Sequence, residues 1–113
     1  MIRGPIIVEP AARRVTANEE ALRLPQKEFA LLLALAQDPE RVWTKAQLMN
    51  AIWGCDGDAA TRTLDSHASR LRLKFQRAGV HGIVVNVWGA GYKFWDRLDP
   101  STFPPLAAAS EVA

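Results

Sequence analysis

Between Arg62 and Arg77 the chain reads Arg-Thr-Leu-Asp-Ser-His-Ala-Ser-Arg-Leu-Arg-Leu-Lys-Phe-Gln-Arg, and no other stretch constrains the fold as much. Leu64, Ala68, Leu71 and Phe75 recur at i, i+4, i+7 and i+11, one side of an α-helix. At about 100° per residue, Arg62, Ser66, Ser69, Leu73 and Arg77 point the opposite way, flanked by Thr63, His67, Arg70 and Lys74. The stretch holds five of the chain's 14 Lys/Arg and one of its 12 Asp/Glu, a net of +4 against −2 for the rest. A helix with one packed face and one face of guanidinium and short hydroxyl groups suits the DNA major groove, where Arg reads guanine edges and neutralises phosphate. By itself the segment reads equally as a surface helix with a solvated basic side, so its surroundings decide.

At 113 residues the chain holds one core. A single cysteine, Cys55, excludes an intramolecular disulfide and favours a reducing compartment. No signal-peptide pattern occupies Met1 to Pro10, and the longest apolar run, Phe29 to Ala36, is too short to span a bilayer. The expectation is a soluble cytoplasmic protein, with a pI near 9.0 that permits a nucleic-acid partner.

Residues 5 to 24 predict a small antiparallel meander: Ile6 to Val8, Arg13 to Thr16 and Ala21 to Leu24, with Asn18 in a turn. Pro25 opens a helix carrying Phe29, Leu32, Leu33 and Ala36, ended by Asp38-Pro39. Thr44 and Gln47 form a capping-box pattern for a second helix with Leu48, Ile52 and Trp53 as its buried stripe and Gly54 at its C′ position. Lys45 in its first turn opposes the helix dipole, which hints at an anion nearby and fits a plain surface lysine equally well. Asp58 or Thr61 would cap the basic helix, and Gly79 stops it. Ile83 to Val87 and Tyr92 to Trp95 predict a hairpin around Gly89-Ala90-Gly91. Residues 1–97 form the expected domain; 98–113, with Pro100, Pro104, Pro105 and a run of alanines, read as a flexible tail.

This order, with Lys27-Glu28-Phe29-Ala30-Leu31-Leu32, Arg41 to Leu48 followed by Ile52-Trp53-Gly54, Arg62 to His67 with Arg70-Leu71-Arg72, and Gly89-Ala90-Gly91-Tyr92-Lys93-Phe94, resembles the winged-helix effector domain of bacterial OmpR/PhoB-type response regulators over roughly residues 6–96. The resemblance implies an α+β winged helix-turn-helix with an N-terminal antiparallel sheet, three helices and a C-terminal β-hairpin wing. It implies a sequence-specific transcriptional regulator that binds double-stranded DNA through the helix 61–78 and touches the adjacent backbone or minor groove with the 83–95 hairpin. Arg62, Thr63, Ser66, His67, Arg70 and Arg72 stand at the family's recognition-helix contacts, and Ser69, Leu73 and Lys74 extend that surface. Trp43, Thr44, Lys45 and Trp53 stand where the backbone is touched. Asn86, Trp88, Ala90, Tyr92 and Lys93 belong to the wing. No cofactor or metal is expected; without a receiver domain to pair subunits the expectation is a monomer in free solution, and the resemblance implies tandem pairing on DNA.

The chain departs from that pattern in three places. Trp88 replaces the wing arginine of many members. Pro25 replaces the threonine that usually caps the first helix. No phosphoacceptor aspartate with acidic neighbours precedes Ile6, so the expectation is an excised effector domain or a stand-alone regulator. A second function class stays open: a protein-interaction winged helix that meets RNA polymerase or another regulator through an apolar wing (Trp88, Trp95) or the loop 54–60. Catalysis is not expected. Cys55 has no suitably spaced histidine, one Cys with His67 and His81 is too few ligands for zinc, and no glycine-rich loop opens a helix.

Overall fold

Strand alternation builds the first sheet of the computed structural model, which describes residues 1–54 and 61–95. Its strands β1 (Ile2–Arg3), β2 (Ile6–Glu9), β3 (Arg14–Ala17) and β4 (Glu20–Leu22) are antiparallel in chain order. Ile6, Val8, Val15 and Ala17 face the core while Ile7 faces solvent, the period of two that a half-covered sheet requires. Asn18 and Glu19, with φ of 50° and 68°, form a tight turn that pairs Ala17 with Glu20. That turn moves β3 and β4 to 14–17 and 20–22 from the expected 13–16 and 21–24. The strand β1 was not expected, since two residues carry no periodicity. A turn at Gly4 and a 2.9 Å hydrogen bond from the amino terminus to the Val8 carbonyl fold it onto β2.

Three helices follow: α1 (Gln26–Gln37), α2 (Lys45–Trp53) and α3 (Thr61–Arg77). Pro25 supplies no side-chain cap to α1, as its sequence implied. Leu31, Leu32, Leu35 and Ala36 are fully enclosed, so α1 is buried on more than one side; Leu33 is only half-buried. The capping box at Thr44 and Gln47 is complete, and Gly54 ends α2 in the left-handed conformation at φ 73°. Leu48 and Met49 are the buried residues of α2, whereas Ile52 and Trp53 are half-buried. On α3 the expected stripe of Leu64, Ala68, Leu71 and Phe75 is completely buried. Enclosing each large side chain there contributes about 1.5–3 kcal/mol.

Cations and amides from elsewhere in the chain satisfy helix C-termini, where carbonyls lack partners. Arg3 Nε donates to the Ala36 carbonyl at 2.8 Å, Lys27 Nζ to Ile52 at 2.9 Å and Asn18 Nδ2 to Ala78 at 2.9 Å. These bonds lock the first sheet to α1 and α3, and α1 to α2.

The second sheet has the order β5-β7-β6, from β5 (Trp43–Thr44), β6 (Ile83–Val87) and β7 (Gly91–Trp95). Pairing of β5 with β7 was not expected either, and it places the start of α2 beside the hairpin. Gly91 permits this approach, because a Cβ there would overlap the Trp43 carbonyl oxygen. The hairpin loop is Trp88-Gly89-Ala90, closed by a 2.9 Å bond from Ala90 N–H to the Val87 carbonyl, so Gly91 begins the strand instead of lying in the turn. Strict alternation fails at Val84, whose φ of 62° turns it into the core beside Ile83. The residues 55–60 and 96–113, and with them the candidate cap Asp58 and the expected tail, lie outside the described residues, while Thr61, the other candidate cap, is the first residue of α3.

Candidate nucleic-acid interface

The outer side of α3 is a stripe of exposed residues: Arg62, Thr63, Ser66, Ser69, Arg70, Leu73 and Arg77. Helical spacing puts them there because Leu64, Ala68, Leu71 and Phe75 occupy the core side. Arg62 and Arg77 have no ion-pair partner among the described residues, and Arg77, placed on this face by helical spacing but not among the expected contacts, extends the candidate surface. Leu73 is 44% exposed, an apolar spot between charged neighbours.

The other cations of α3 are committed within the fold. Glu28 of α1, only 2% exposed, accepts from Lys74 Nζ at 2.7 Å and from Arg70 Nε at 3.3 Å. Lys74 also donates to the Arg23 carbonyl at 3.2 Å. Its expected place in the outer surface is therefore corrected: it is the counterion of a buried carboxylate, which would be costly to leave unpaired. Arg70 keeps a side chain 56% exposed, with Nη2 3.4 Å from His67 Nδ1. Arg72 is corrected as well. Its Nε and Nη2 donate to the Val84 carbonyl at 3.2 and 3.0 Å, which turns the guanidinium to the hairpin.

Asp65 instead joins three elements. It accepts from Tyr92 Oη at 2.6 Å and pairs with Lys45 Nζ at 3.2 Å. The anion that Lys45 implied is thus inside the protein, and Lys45 reaches the surface already half-neutralised. Burial, and next the Asp65 carboxylate, push the Tyr92 phenol well above its ordinary value of 10.0, with Arg72 acting weakly the other way. Tyr92 is 3% exposed, so it supports the wing and does not form part of its outer surface, a second correction among the wing candidates.

His67 is half-buried, its ring edge-to-face with Trp53 at 5.1 Å. Its Nδ1 lies 2.7 Å from the Thr63 carbonyl, which can only accept, so Nδ1 carries a proton and Nε2 is the nitrogen left for a partner. Lys27 Nζ sits 6.0 Å from the centroid of the Trp53 ring, making Trp53 a packing residue between α1, α2 and α3. Thr44 spends its oxygen lone pair on the Gln47 N–H but keeps a hydroxyl proton to donate. Trp43 is corrected: its indole nitrogen is buried with no partner among the described residues, so it cannot donate to a phosphate. Arg41, which sequence reasoning passed over, lies 3.6 Å above that ring.

At the hairpin tip Trp88 is 95% exposed, and Asn86 and Ala90 are exposed beside it. Lys93 is half-buried on the hairpin's outer side. Lys45, Asn86, Trp88 and Ala90 line one cleft between the start of α2 and the tip. Trp95 is 5% exposed and belongs to the core, so no joint surface of Trp88 and Trp95 exists. Among the described residues there is no cluster of His, Cys, Asp or Glu suited to a metal and no helix long and apolar enough to cross a membrane.

A family profile described as "Transcriptional regulatory protein, C terminal" matches residues 18–94. The chain belongs to this OmpR/PhoB-type family. It is 39% identical over 90 residues to the phosphate regulon transcriptional regulatory protein PhoB of Escherichia coli, over 80% of this chain and 39% of that protein. It is 40% identical over 91 residues to the sensory transduction protein RegX3 of Mycolicibacterium smegmatis, over 80% of this chain and 40% of that one. The chain thus spans about two fifths of the length of these curated relatives. Among solved structures it is similar to the response regulator AdeR DNA-binding domain in complex with an intercistronic region, with a TM-score of 0.77, 29% identity and coverage of 85% and 99%. It is also similar to the Klebsiella pneumoniae RstA DNA-binding domain in complex with the RstA box, with a TM-score of 0.76, 26% identity and coverage of 84% and 95%. As an OmpR/PhoB-type winged helix, the chain has α2 and α3 as its helix-turn-helix and β6–β7 as its wing.

Proposed function

We propose that this chain binds double-stranded DNA sequence-selectively as a transcriptional regulator, with the outer stripe of α3 in the major groove and the wing on the adjacent sugar–phosphate edge. The observation that carries this reading is the stripe itself. Arg62, Thr63, Ser66, Ser69 and Arg70 are exposed on a helix whose opposite side is fully enclosed, and that donor-rich chemistry matches base edges and phosphates. Similarity to domains solved with DNA supports it. Residues 1–97 form the binding unit in this proposal. Arg62, Thr63, Ser66, Ser69 and Arg70 face bases, with His67 Nε2 and Leu73 at the margin and Arg77 extending the contact. Thr44, Lys45 and Arg41 face phosphates, while Asn86, Trp88, Ala90 and Lys93 form the wing's side of the interface.

A titration of duplex affinity against salt tests the proposal. Binding should weaken steeply, with a slope near −0.9 for each phosphate neutralised. A flat salt dependence, or equal affinity for a selected and a scrambled duplex, would sink it. The 95% exposure of Trp88 favours a second reading, in which the wing anchors a protein such as RNA polymerase. That reading predicts duplex affinity unchanged by substitution of Trp88. The loop 54–60, also considered for that partner, lies largely outside the described residues.

A further inference from the structure

We propose that Glu28, an interior residue of α1, sets which base the outer stripe prefers by holding Arg70 in one orientation; the inference rests on the DNA-binding reading above. Glu28 is 2% exposed, and its two oxygens are divided between two cations one helical turn apart on α3. Lys74, pinned from a second side by the Arg23 carbonyl, fixes the carboxylate in place. The other oxygen takes the Nε–H of Arg70 at 3.3 Å. An arginine held at Nε still has both terminal nitrogens for a two-pronged contact, the geometry that matches O6 and N7 of guanine. Arg70 Nη2 lies 3.4 Å from His67 Nδ1, whose proton is given to the Thr63 carbonyl, so the hold on the guanidinium comes from Glu28. A free arginine must give up rotamer freedom to reach a base, whereas one already ordered gives up less.

The carboxylate acts in a second way. Its negative charge beneath Arg70 and Lys74 offsets their attraction for any phosphate but leaves the directional donors of Arg70 in place. Glu28 therefore lowers sequence-independent binding and raises selective binding. A residue that merely held the fold together would move both in the same direction. Glu28 is thus a positioning residue acting through Arg70.

The test uses the duplex that the wild-type chain recovers from a random pool, each of its single-base variants, and a scrambled duplex. Glu28→Gln keeps the shape and removes the charge. It should lose roughly tenfold discrimination at one base pair, within the range of a bidentate contact, and that base pair should be the one at which Arg70→Ala loses selectivity. The double variant should lose no more there than Arg70→Ala alone. Scrambled duplex should bind more tightly to Glu28→Gln, with a salt slope about one to two units steeper. Unchanged discrimination, losses that multiply in the double variant, or equal weakening on every duplex would each overturn the inference. Should Glu28→Gln not fold, the Arg70 Nε–H resonance of the wild-type chain decides. Slow solvent exchange before DNA is added supports the inference, and fast exchange overturns it. Failure of the wild-type chain to recover any duplex would defeat the DNA-binding reading itself, whereas a selective wild type with an unaffected Glu28→Gln defeats this inference alone.

Discussion

Trp88→Ala separates the two roles open to the wing tip, and its effect on stability follows from the structure. An enclosed tryptophan buries on the order of 250 Å². At 95% exposure only about 12 Å² is covered, which at about 25 cal/mol per Å² amounts to about 0.3 kcal/mol. The positive φ of the loop, 76°, belongs to Gly89, so alanine at position 88 leaves the turn intact. Urea unfolding should therefore find Trp88→Ala within about 0.5 kcal/mol of wild type, far from the roughly 3–5 kcal/mol of a core tryptophan. Affinity for a selected duplex should fall about 5–30-fold, the effect of losing an interface aromatic worth about 1–2 kcal/mol. Trp88→Arg should recover affinity through phosphate attraction and steepen the salt slope by about one unit. An unchanged duplex affinity in Trp88→Ala would refute the contact with DNA and favour a protein partner. A stability loss of about 2 kcal/mol or more would refute the exposed placement from which the magnitude was worked.

Tyr92 is the chain's single tyrosine, so tyrosinate absorbance reports it alone. Its folded pKa lies above the unfolded value of 10.0, so its contribution is fully present below about pH 10 and is lost as pH rises beyond it. Urea midpoints measured across alkaline pH should show that added decline in the wild type and its absence in Tyr92→Phe. Asp65→Asn should cost about 1 kcal/mol of stability, since the amide oxygen still accepts from Tyr92 but the charge assistance is gone. The same change frees Lys45 and should steepen the salt slope by about one unit; an unchanged slope would mean that Lys45 stays away from phosphate. Arg62→Ala should cost about 1–3 kcal/mol of binding and relax preference at one base pair, and binding unaltered on every duplex would remove Arg62 from the interface. Two copies on tandem sites spaced by one helical turn, about 10–10.5 base pairs, should lose cooperativity when half a turn is inserted but keep single-site affinity.

Local signals in the sequence place most of the elements. The spacing of Leu64, Ala68, Leu71 and Phe75 fixes which side of α3 is enclosed, because 3.6 residues per turn leaves those side chains only one common face. Thr44 with Gln47, and Gly54, mark the ends of α2 through bonds that span three or four residues. The hairpin itself was legible too, although its loop is 88–90 and not the expected 89–91.

The partners of the charged residues depend on contacts distant along the chain. Glu28 meets Arg70 and Lys74 across 42 and 46 residues, and Asp65 meets Tyr92 across 27. Periodicity puts a cation on a helix flank but says nothing about the carboxylate that another element brings against it. Counting five basic residues on one helix therefore overstated the free charge: Arg70 and Lys74 share Glu28, and Arg72 is bound to a carbonyl of the hairpin. Pairing of β5 with β7 likewise buried Tyr92 and gave Lys45 its neighbour, although a two-residue strand leaves no pattern to read. Residue spacing thus determined the shape of α3 and its two faces. Only the packing of α1 and the second sheet against it decided which of its cations remain available to a partner, because charge pairing depends on proximity in space and not on order in the chain.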